Sequence, residues 1–219
     1  MAISPTLAWA QRKLRRFRRL PTQMREAELA LLLASTSLTE ANVSHHVDYG
    51  TLLGLARGGE LIAWDRDVDL CVDSEDVAQV RRALQPFEER GWRIRAVTNQ
   101  VADRAWSAGS VSCLKLDRPA QWGGGYRHVM DIVVHYRDSE RCLWACWDLV
   151  FSAPAHHFDG AEGVLFRGRR LPAPRQYDEY LSLIYGDWRT PSPEYDARRD
   201  DGSQVWEVGE GRPVAALVH

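Results

Sequence analysis

The sequence predicts an α+β protein in which a mixed β-sheet is flanked by helices, with additional helices at the N-terminal end. Several segments alternate apolar and polar residues as half-buried strands do, whereas few segments have the apolar spacing of a helix. The 219 residues, of which 45% are apolar, suffice for one continuous core. Because no repeat and no linker interrupts the chain, we expect a single domain over residues 21–219 behind a short leader at 1–20.

The leader is predicted to form a basic amphipathic helix that ends at Pro21. Its apolar residues recur at spacings of three and four, at Leu7, Ala10, Leu14 and Phe17. Residues 1–25 carry a charge of +7 within a chain of formal charge −2, so the remainder is acidic. We expect the leader either to pack on its own domain or to contact an anionic membrane peripherally through residues 7–20.

The remaining elements follow from periodicity and from capping residues. A helix is predicted from about Met24 to Asn42, and another begins at a Ser74 cap and is kinked by Pro86. A last helix runs from Pro174 to Gly186, and the tail beyond Asp187 is expected to be irregular. The predicted strands are His46–Tyr49, Asp67–Val72, Trp92–Val97, Val111–Leu116, Val129–Tyr136 and Leu143–Trp147.

Composition excludes several classes of protein. A pI near 6.4 lacks the basic footprint that nucleic-acid binding needs, so no nucleic acid is expected as a partner. The longest apolar run, 29–34, is much shorter than the roughly 20 residues that span a bilayer. Four cysteines without a signal peptide predict a cytoplasmic protein, peripheral at the inner membrane face if the leader binds lipid. A zinc site at Cys142 and Cys146 is disfavoured by their wide spacing.

Three acids occupy alternate positions at the start of a predicted strand. Asp65, Asp67 and Asp69 would project from one face, where their like charges repel. A divalent cation with oxygen ligands offsets that repulsion, and Mg²⁺ or Mn²⁺ is the expected cofactor. The alternative is a solvated acidic turn, but the interleaved apolar residues favour a strand.

A Gly-Thr pair precedes these acids at a junction between a strand and a helix. Gly50 permits close approach of a ligand, and Thr51 adds a hydroxyl beside the free N–H groups of the helix start. Arg57 follows about two turns later and is predicted to contact a second phosphate oxygen. A strand, a Gly-Thr turn, a short helix and an Asp-x-Asp strand are arranged as in the nucleotidyltransferase superfamily, which also uses a third carboxylate on a later strand.

Asp131 is the candidate for that third carboxylate. It is a single acid within the apolar run Val129–Val134, where an unpaired carboxylate is costly. It is predicted either to share the metal or to act as the base for an incoming hydroxyl, and a structural salt bridge is the alternative. Lys115, on a neighbouring predicted strand, is a candidate phosphate contact.

Two separated motifs resemble the LicD family of nucleotidyltransferase-fold phosphotransferases. The first comprises Tyr49-Gly50-Thr51-Leu52-Leu53-Gly54, Arg57 and the segment from Ile62 to Asp69, and the second is Tyr180-Leu181-x3-Tyr185-Gly186-Asp187-Trp188-x2-Pro191. Together they cover residues 43–193. Ala63 departs from the proline that this family usually has before Trp-Asp, which loosens the turn and removes no predicted ligand.

The resemblance implies transfer of a phospho-alcohol, such as phosphocholine or ribitol phosphate, from a CDP-activated donor to a glycan hydroxyl. In that mechanism the metal on Asp67 and Asp69 neutralises the diphosphate, Asp65 completes its site, and Asp131 accepts the proton. A second enzymatic interpretation is transfer of a nucleotidyl group from a nucleoside triphosphate to a small-molecule or sugar hydroxyl. A third is a glycan-binding module with a relic site, in which Trp106, Trp122 or Trp188 would stack on sugar rings.

Overall fold

The computed structural model describes residues 21–120, 124–147, 149–192, 194–207 and 215–217. The helices of this part of the chain are α1 (Pro21–Glu40), α2 (Tyr49–Gly58), α3 (Val77–Ala83), α4 (Gln85–Glu88), α5 (Tyr177–Tyr185) and α6 (Ala197–Asp200), with 3-10 turns at Ser74–Asp76 and Ala155–Phe158. The strands are β1 (His45–Val47), β2 (Val68–Asp73), β3 (Arg93–Asn99), β4 (Val111–Pro119), β5 (Tyr126–Asp138), β6 (Arg141–Cys146), β7 (Leu149–Pro154), β8 (Glu162–Phe166), β9 (Arg169–Ala173), β10 (Gln204–Glu207) and β11 (Ala215–Leu217).

Nine of these strands form one mixed sheet. The order β10-β7-β6-β5-β4-β3-β11 is antiparallel throughout, while β2 joins the sheet parallel to β5 and pairs with β1 on its other side. The strands β8 and β9 form a separate hairpin. The prediction of a mixed sheet flanked by helices is therefore confirmed. The parallel pairing of β2 with β5 decides the site, because it brings the acidic strand beside the strand that carries Asp131.

Helix α1 packs on the sheet through its apolar side. Leu31, Ala34 and Leu38 are fully buried, and α1 contacts β5. Glu26 forms ion pairs with Arg118 of β4 and Arg127 of β5, which attach the start of the helix to the sheet. The predicted helix at Met24–Asn42 thus exists with bounds shifted by a few residues.

Some local predictions were wrong. Ser74 begins a 3-10 turn that has no side-chain cap, and Pro86 does not kink a continuous helix. The helix instead ends at Ala83, and Pro86 lies in the first turn of α4, where its missing N–H costs no hydrogen bond. The tail beyond Asp187 contains α6, β10 and β11 rather than irregular chain alone. The leader lies outside the described residues, and none of the helices described is long and apolar enough to cross a bilayer.

Candidate active site

The start of α2 lies against the acidic segment. Asp48 caps this helix by accepting a hydrogen bond of 2.7 Å from the Tyr49 N–H. A Cβ atom at Gly50 would lie 2.0 Å from Oδ2 of Asp65, so a side chain at this position would force the Asp65 carboxylate to move away from the helix start. The buried Thr51 hydroxyl accepts a hydrogen bond of 2.8 Å from the Asp69 N–H. The Gly-Thr pair therefore fixes the position of the acids, and its contact with phosphate stays a prediction.

Parallel pairing brings acids from two strands together. Asp69 of β2 lies directly opposite Asp131 of β5, and Asp67 immediately precedes β2. Burial raises the pKa of Asp69 well above its ordinary value, and the negative charges of Asp67, Asp65 and Asp131 add to that effect. The electrostatic crowding expected from the alternation of acids is therefore present, and it extends to the predicted third carboxylate.

His128 lies between two of these acids, and the sequence analysis missed it. Its Nε2 atom is 2.9 Å from Oδ1 of Asp131 and 3.3 Å from Oδ2 of Asp67. Its Nδ1 atom is 3.1 Å from Oδ1 of Asp117, a buried carboxylate that also pairs with Arg93 and Arg95. The arginines, Asp117 and His128 thus form a continuous polar chain that leads to the acids.

A β-bulge explains why no pattern indicated His128. Residues three apart on a regular strand point to opposite faces, so His128 would face away from Asp131. In β5, however, Met130 pairs with Leu116 while His128 pairs with Asp117, which leaves Val129 as an extra residue. This bulge turns the His128 side chain to the face that carries Asp131.

Cations balance the acids in this structure. Burial would lower the pKa of His128, but its contacts with Asp131 and Asp67 raise the pKa to about 9, so the ring is protonated at neutral pH. Lys115 Nζ donates a hydrogen bond of 2.6 Å to Oδ2 of Asp131. Burial would raise the pKa of Asp131, yet His128 and Lys115 outweigh it and lower the pKa. Asp131 therefore forms a salt bridge, which was the structural alternative to a catalytic role. Lys115, the candidate phosphate contact, binds this carboxylate in the structure.

Three side chains offer a metal ion one ligand atom each. The candidate ligand atoms of Asp67, His128 and Asp131 all lie within 4.8 Å of one another. Carboxylate oxygens with an imidazole nitrogen suit a divalent cation, and they suit Mn²⁺ better than Mg²⁺ because Mg²⁺ prefers oxygen. Asp69 lies beside this group, because it is directly opposite Asp131 in the sheet. Asp65 lies outside it, with Oδ1 accepting a hydrogen bond of 2.9 Å from the Arg66 N–H, so its role as a ligand remains a prediction.

The other predicted residues have mainly structural contacts. Arg57 donates hydrogen bonds to the carbonyl oxygens of Trp188 and Thr190, which joins the two motifs that suggested the family. Trp106 and Trp188 are each 5% exposed, so packing is their role, and Trp122 lies outside the described residues. Trp64 and Trp147 are 44% and 47% exposed, and Arg198 lies over the Trp147 ring.

Comparison with known proteins identifies the family. The model of the LicD/FKTN/FKRP nucleotidyltransferase domain matches residues 42–176, which include the Gly-Thr turn, the acids and His128. The chain belongs to the LicD family. The nucleotidyltransferase-like fold and the family expected from the two motifs are therefore confirmed. The second motif, Tyr180–Pro191, lies beyond the matched residues.

Curated relatives of this LicD-family chain are longer proteins. The chain is 28% identical to ribitol 5-phosphate transferase FKRP of Mus musculus over 165 residues, which cover 72% of the chain and 31% of that protein. It is 29% identical over 79 residues to the uncharacterized protein RP689 of Rickettsia prowazekii, covering 36% of the chain and 27% of that protein. The chain thus spans less than a third of either relative.

Two solved structures are also similar. A lincomycin-bound lincosamide antibiotic adenylyltransferase, LnuA, matches with a TM-score of 0.42 and 16% identity over 70% of the chain and 82% of that protein. The structure of ANT(2")-Ia with adenylyl-2"-tobramycin matches with a TM-score of 0.42 and 15% identity over 78% of the chain and 82% of that protein.

Proposed function

We propose that this protein is a metal-dependent transferase that moves a phospho-alcohol from a CDP-activated donor to a glycan hydroxyl. The observation that carries the proposal is the Asp67, His128 and Asp131 group beside the Gly-Thr turn, within the residues that the family model matches. The name of the mouse relative supports an alditol phosphate, ribitol 5-phosphate, as the transferred group. Phosphocholine is a second donor group to test.

In this proposal Asp67, His128 and Asp131 hold Mn²⁺ or Mg²⁺, with Asp69 beside them. The metal supplies positive charge that offsets the negative charge of the donor diphosphate and of the transition state. His128 must lose its proton to become a ligand, and Asp117 then orients the ring through Nδ1. The Lys115 ammonium group donates a hydrogen bond to Oδ2 of Asp131 and favours the ionised form of this carboxylate. Asp131 therefore stays negatively charged while it holds the metal.

The chain's own groups position the donor and the acceptor. Thr51 keeps its hydroxyl proton while its oxygen accepts the Asp69 N–H, so it can donate to a phosphate oxygen. The lowered pKa of Asp131 makes it a weak proton acceptor. Asp69 lies directly opposite Asp131 on the neighbouring strand, and we assign its ionised carboxylate to receive the proton of the attacking hydroxyl.

Product analysis tests this function. The protein is incubated with CDP-ribitol, CDP-choline or CTP, with a glycan acceptor panel, and with Mn²⁺ or Mg²⁺. We expect CMP and a phospho-alcohol-modified glycan, and we expect neither from Asp67→Asn. Release of pyrophosphate from CTP would instead support nucleotidyl transfer, and no product with any donor would favour a binding module.

We also propose that the protein is cytoplasmic and that its basic leader contacts an anionic membrane. The apolar stripe at Leu7–Phe17 and the charge of +7 within residues 1–25 support this proposal.

A further inference from the structure

A second group of metal-binding side chains lies inside the protein, apart from the candidate active site. Asp48 comes from the junction of β1 with α2, Cys71 from β2 and His135 from β5. Their candidate ligand atoms all lie within 4.8 Å of one another. The three residues are 0%, 1% and 1% exposed, so bulk water does not reach them. Nothing in the proposed mechanism uses this group.

Two buried polar atoms in this group have no nitrogen or oxygen hydrogen-bond partner within the described chain, and the Cys71 thiol is the group that interacts with the Asp48 carboxylate there. Oδ2 of Asp48 and Nε2 of His135 are both unpartnered, and they face each other at 3.7 Å, which is too long for a hydrogen bond. In contrast, Oδ1 of Asp48 accepts hydrogen bonds from the Tyr49 N–H at 2.7 Å and from the Tyr180 hydroxyl at 2.8 Å. The carboxylate is therefore held with one oxygen satisfied and the other directed at the group, and buried unpartnered atoms of this kind call for an explanation.

The surroundings are those of a rigid site that bulk water does not reach. The His135 ring stacks on Trp144 with a centroid distance of 4.4 Å, and Phe158 meets it edge-on at 4.6 Å. These rings fix the orientation of the imidazole without offering a hydrogen bond to Nε2. Two ligands that each lie about 2.0–2.1 Å from a tetrahedral zinc ion are roughly 3.3–3.4 Å apart, so the nitrogen and the oxygen, 3.7 Å apart here, need to approach by only a few tenths of an ångström.

The donor set and its charge favour zinc. A carboxylate oxygen, a thiolate sulfur and an imidazole nitrogen are all ligands of Zn²⁺, whereas Mg²⁺ and Ca²⁺ select oxygen. A Zn²⁺ ion with one carboxylate, one thiolate and one neutral imidazole has no net charge, which suits an interior position. Without a metal, the carboxylate of Asp48 has no cation partner among the described residues at hydrogen-bond distance.

We propose that Asp48, Cys71 and His135 bind a structural zinc ion. Binding converts the Cys71 thiol to a thiolate as the zinc–sulfur bond forms, and the proton passes to the solvent. A single enclosed water molecule completes the four ligands that zinc prefers, because Oδ1 of Asp48 already accepts two hydrogen bonds. Cys71 follows Asp69 by two residues and His135 follows Asp131 by four, so the zinc ties α2, β2 and β5 together on the same face of the sheet as the catalytic acids and further along both strands.

Metal analysis of the full chain tests this proposal. Protein purified without chelator from zinc-supplemented cells is expected to contain one zinc ion per chain. Cys71→Ser and His135→Phe are expected to lose it. Cys142→Ser replaces another buried cysteine outside the group and is the matched control, and Asp67→Asn controls for zinc held at the active site. Both controls are expected to retain the zinc.

Cobalt substitution keeps the test decisive where a variant fails to fold. Wild-type protein loaded with Co²⁺ is expected to show a sulfur-to-cobalt charge-transfer band that Asp67→Asn retains and Cys71→Ser, if folded, lacks. A folded wild-type protein without bound zinc and without this band would overturn the proposal. So would a band that disappears in Asp67→Asn, because the metal would then lie at the active site. None of these readouts depends on transferase activity, so failure of the zinc site and failure of the proposed function are separate results.

Discussion

The ion pair between Lys115 and Asp131 allows an electrostatic interaction of the candidate site to be measured through its effect on the free energy of unfolding. We change Asp131→Asn, Lys115→Met and both together. The side chains are 28% and 17% exposed and the atoms are 2.6 Å apart, which places the pair between surface and buried examples. Surface pairs contribute at most about 1 kcal/mol, and breaking a buried pair costs about 3–5 kcal/mol, so we expect a coupling energy of about 2 kcal/mol.

Urea denaturation of the four proteins at pH 7 without added metal measures this coupling. Asp131→Asn is expected to lower the free energy of unfolding by about 2 kcal/mol, which in a parallel thermal scan corresponds to a fall in Tm of roughly 4–8 °C at this size. The double variant is expected to recover most of the loss. The exposed pair of Arg104 with Asp138 is the control, and its coupling is expected to be below about 1 kcal/mol. A coupling for Lys115 and Asp131 no larger than that of the control would refute the reasoning.

Three further predictions concern packing, pH and the leader. Gly54→Ala is expected to destabilise by about 1–3 kcal/mol, because its Cβ would lie 2.6 Å from the Glu60 carbonyl oxygen. Gly58→Ala meets no atom within 4 Å and is expected to be neutral or slightly stabilising in the same urea titrations. Burial lowers the pKa of His46 from 6.5 to about 4, so only the unfolded state gains this proton as pH falls from 6.5 to 4. His46→Gln is therefore expected to remove up to about 3 kcal/mol of the acid-induced loss of stability, and an unchanged pH profile would contradict this assignment. Deletion of residues 1–20 is expected to weaken sedimentation with anionic vesicles while turnover on a soluble substrate persists. Equal vesicle binding by both proteins would exclude the membrane role.

Much of the candidate site can be predicted from patterns within short segments of the sequence. Alternation at Asp67 and Asp69 indicates a half-buried strand, and an acid within an apolar run marks Asp131 as a residue that needs a partner. Both inferences hold because strand periodicity and burial are local properties. The parallel pairing that places Asp69 beside Asp131 is not local, and no sequence pattern predicted it; only the expectation of a third carboxylate came from the order of motifs.

The features of the site that the sequence did not indicate depend on tertiary structure. The bulge at Val129 reverses the direction of His128, and no residue in β5 marks its position. Arg57 has a spacing suited to phosphate, yet the carbonyl groups of a distant segment satisfy its guanidinium. Asp48 and His135 lie far apart in the chain, so their proximity follows only from the sheet.

The proposed transferase activity depends most directly on the group formed by Asp67, His128 and Asp131. Calorimetric titration of CDP-ribitol and CDP-choline into the wild-type protein, with Mn²⁺ and with EDTA, measures whether this group binds the donor through a metal. We expect Mn²⁺ to tighten binding of at least one donor by more than about tenfold, or ~1.4 kcal/mol, and we expect Asp67→Asn to abolish that gain while remaining folded. Equal affinity in Mn²⁺ and EDTA, or an undiminished Mn²⁺ effect in Asp67→Asn, would contradict a metal-centred transferase at this site.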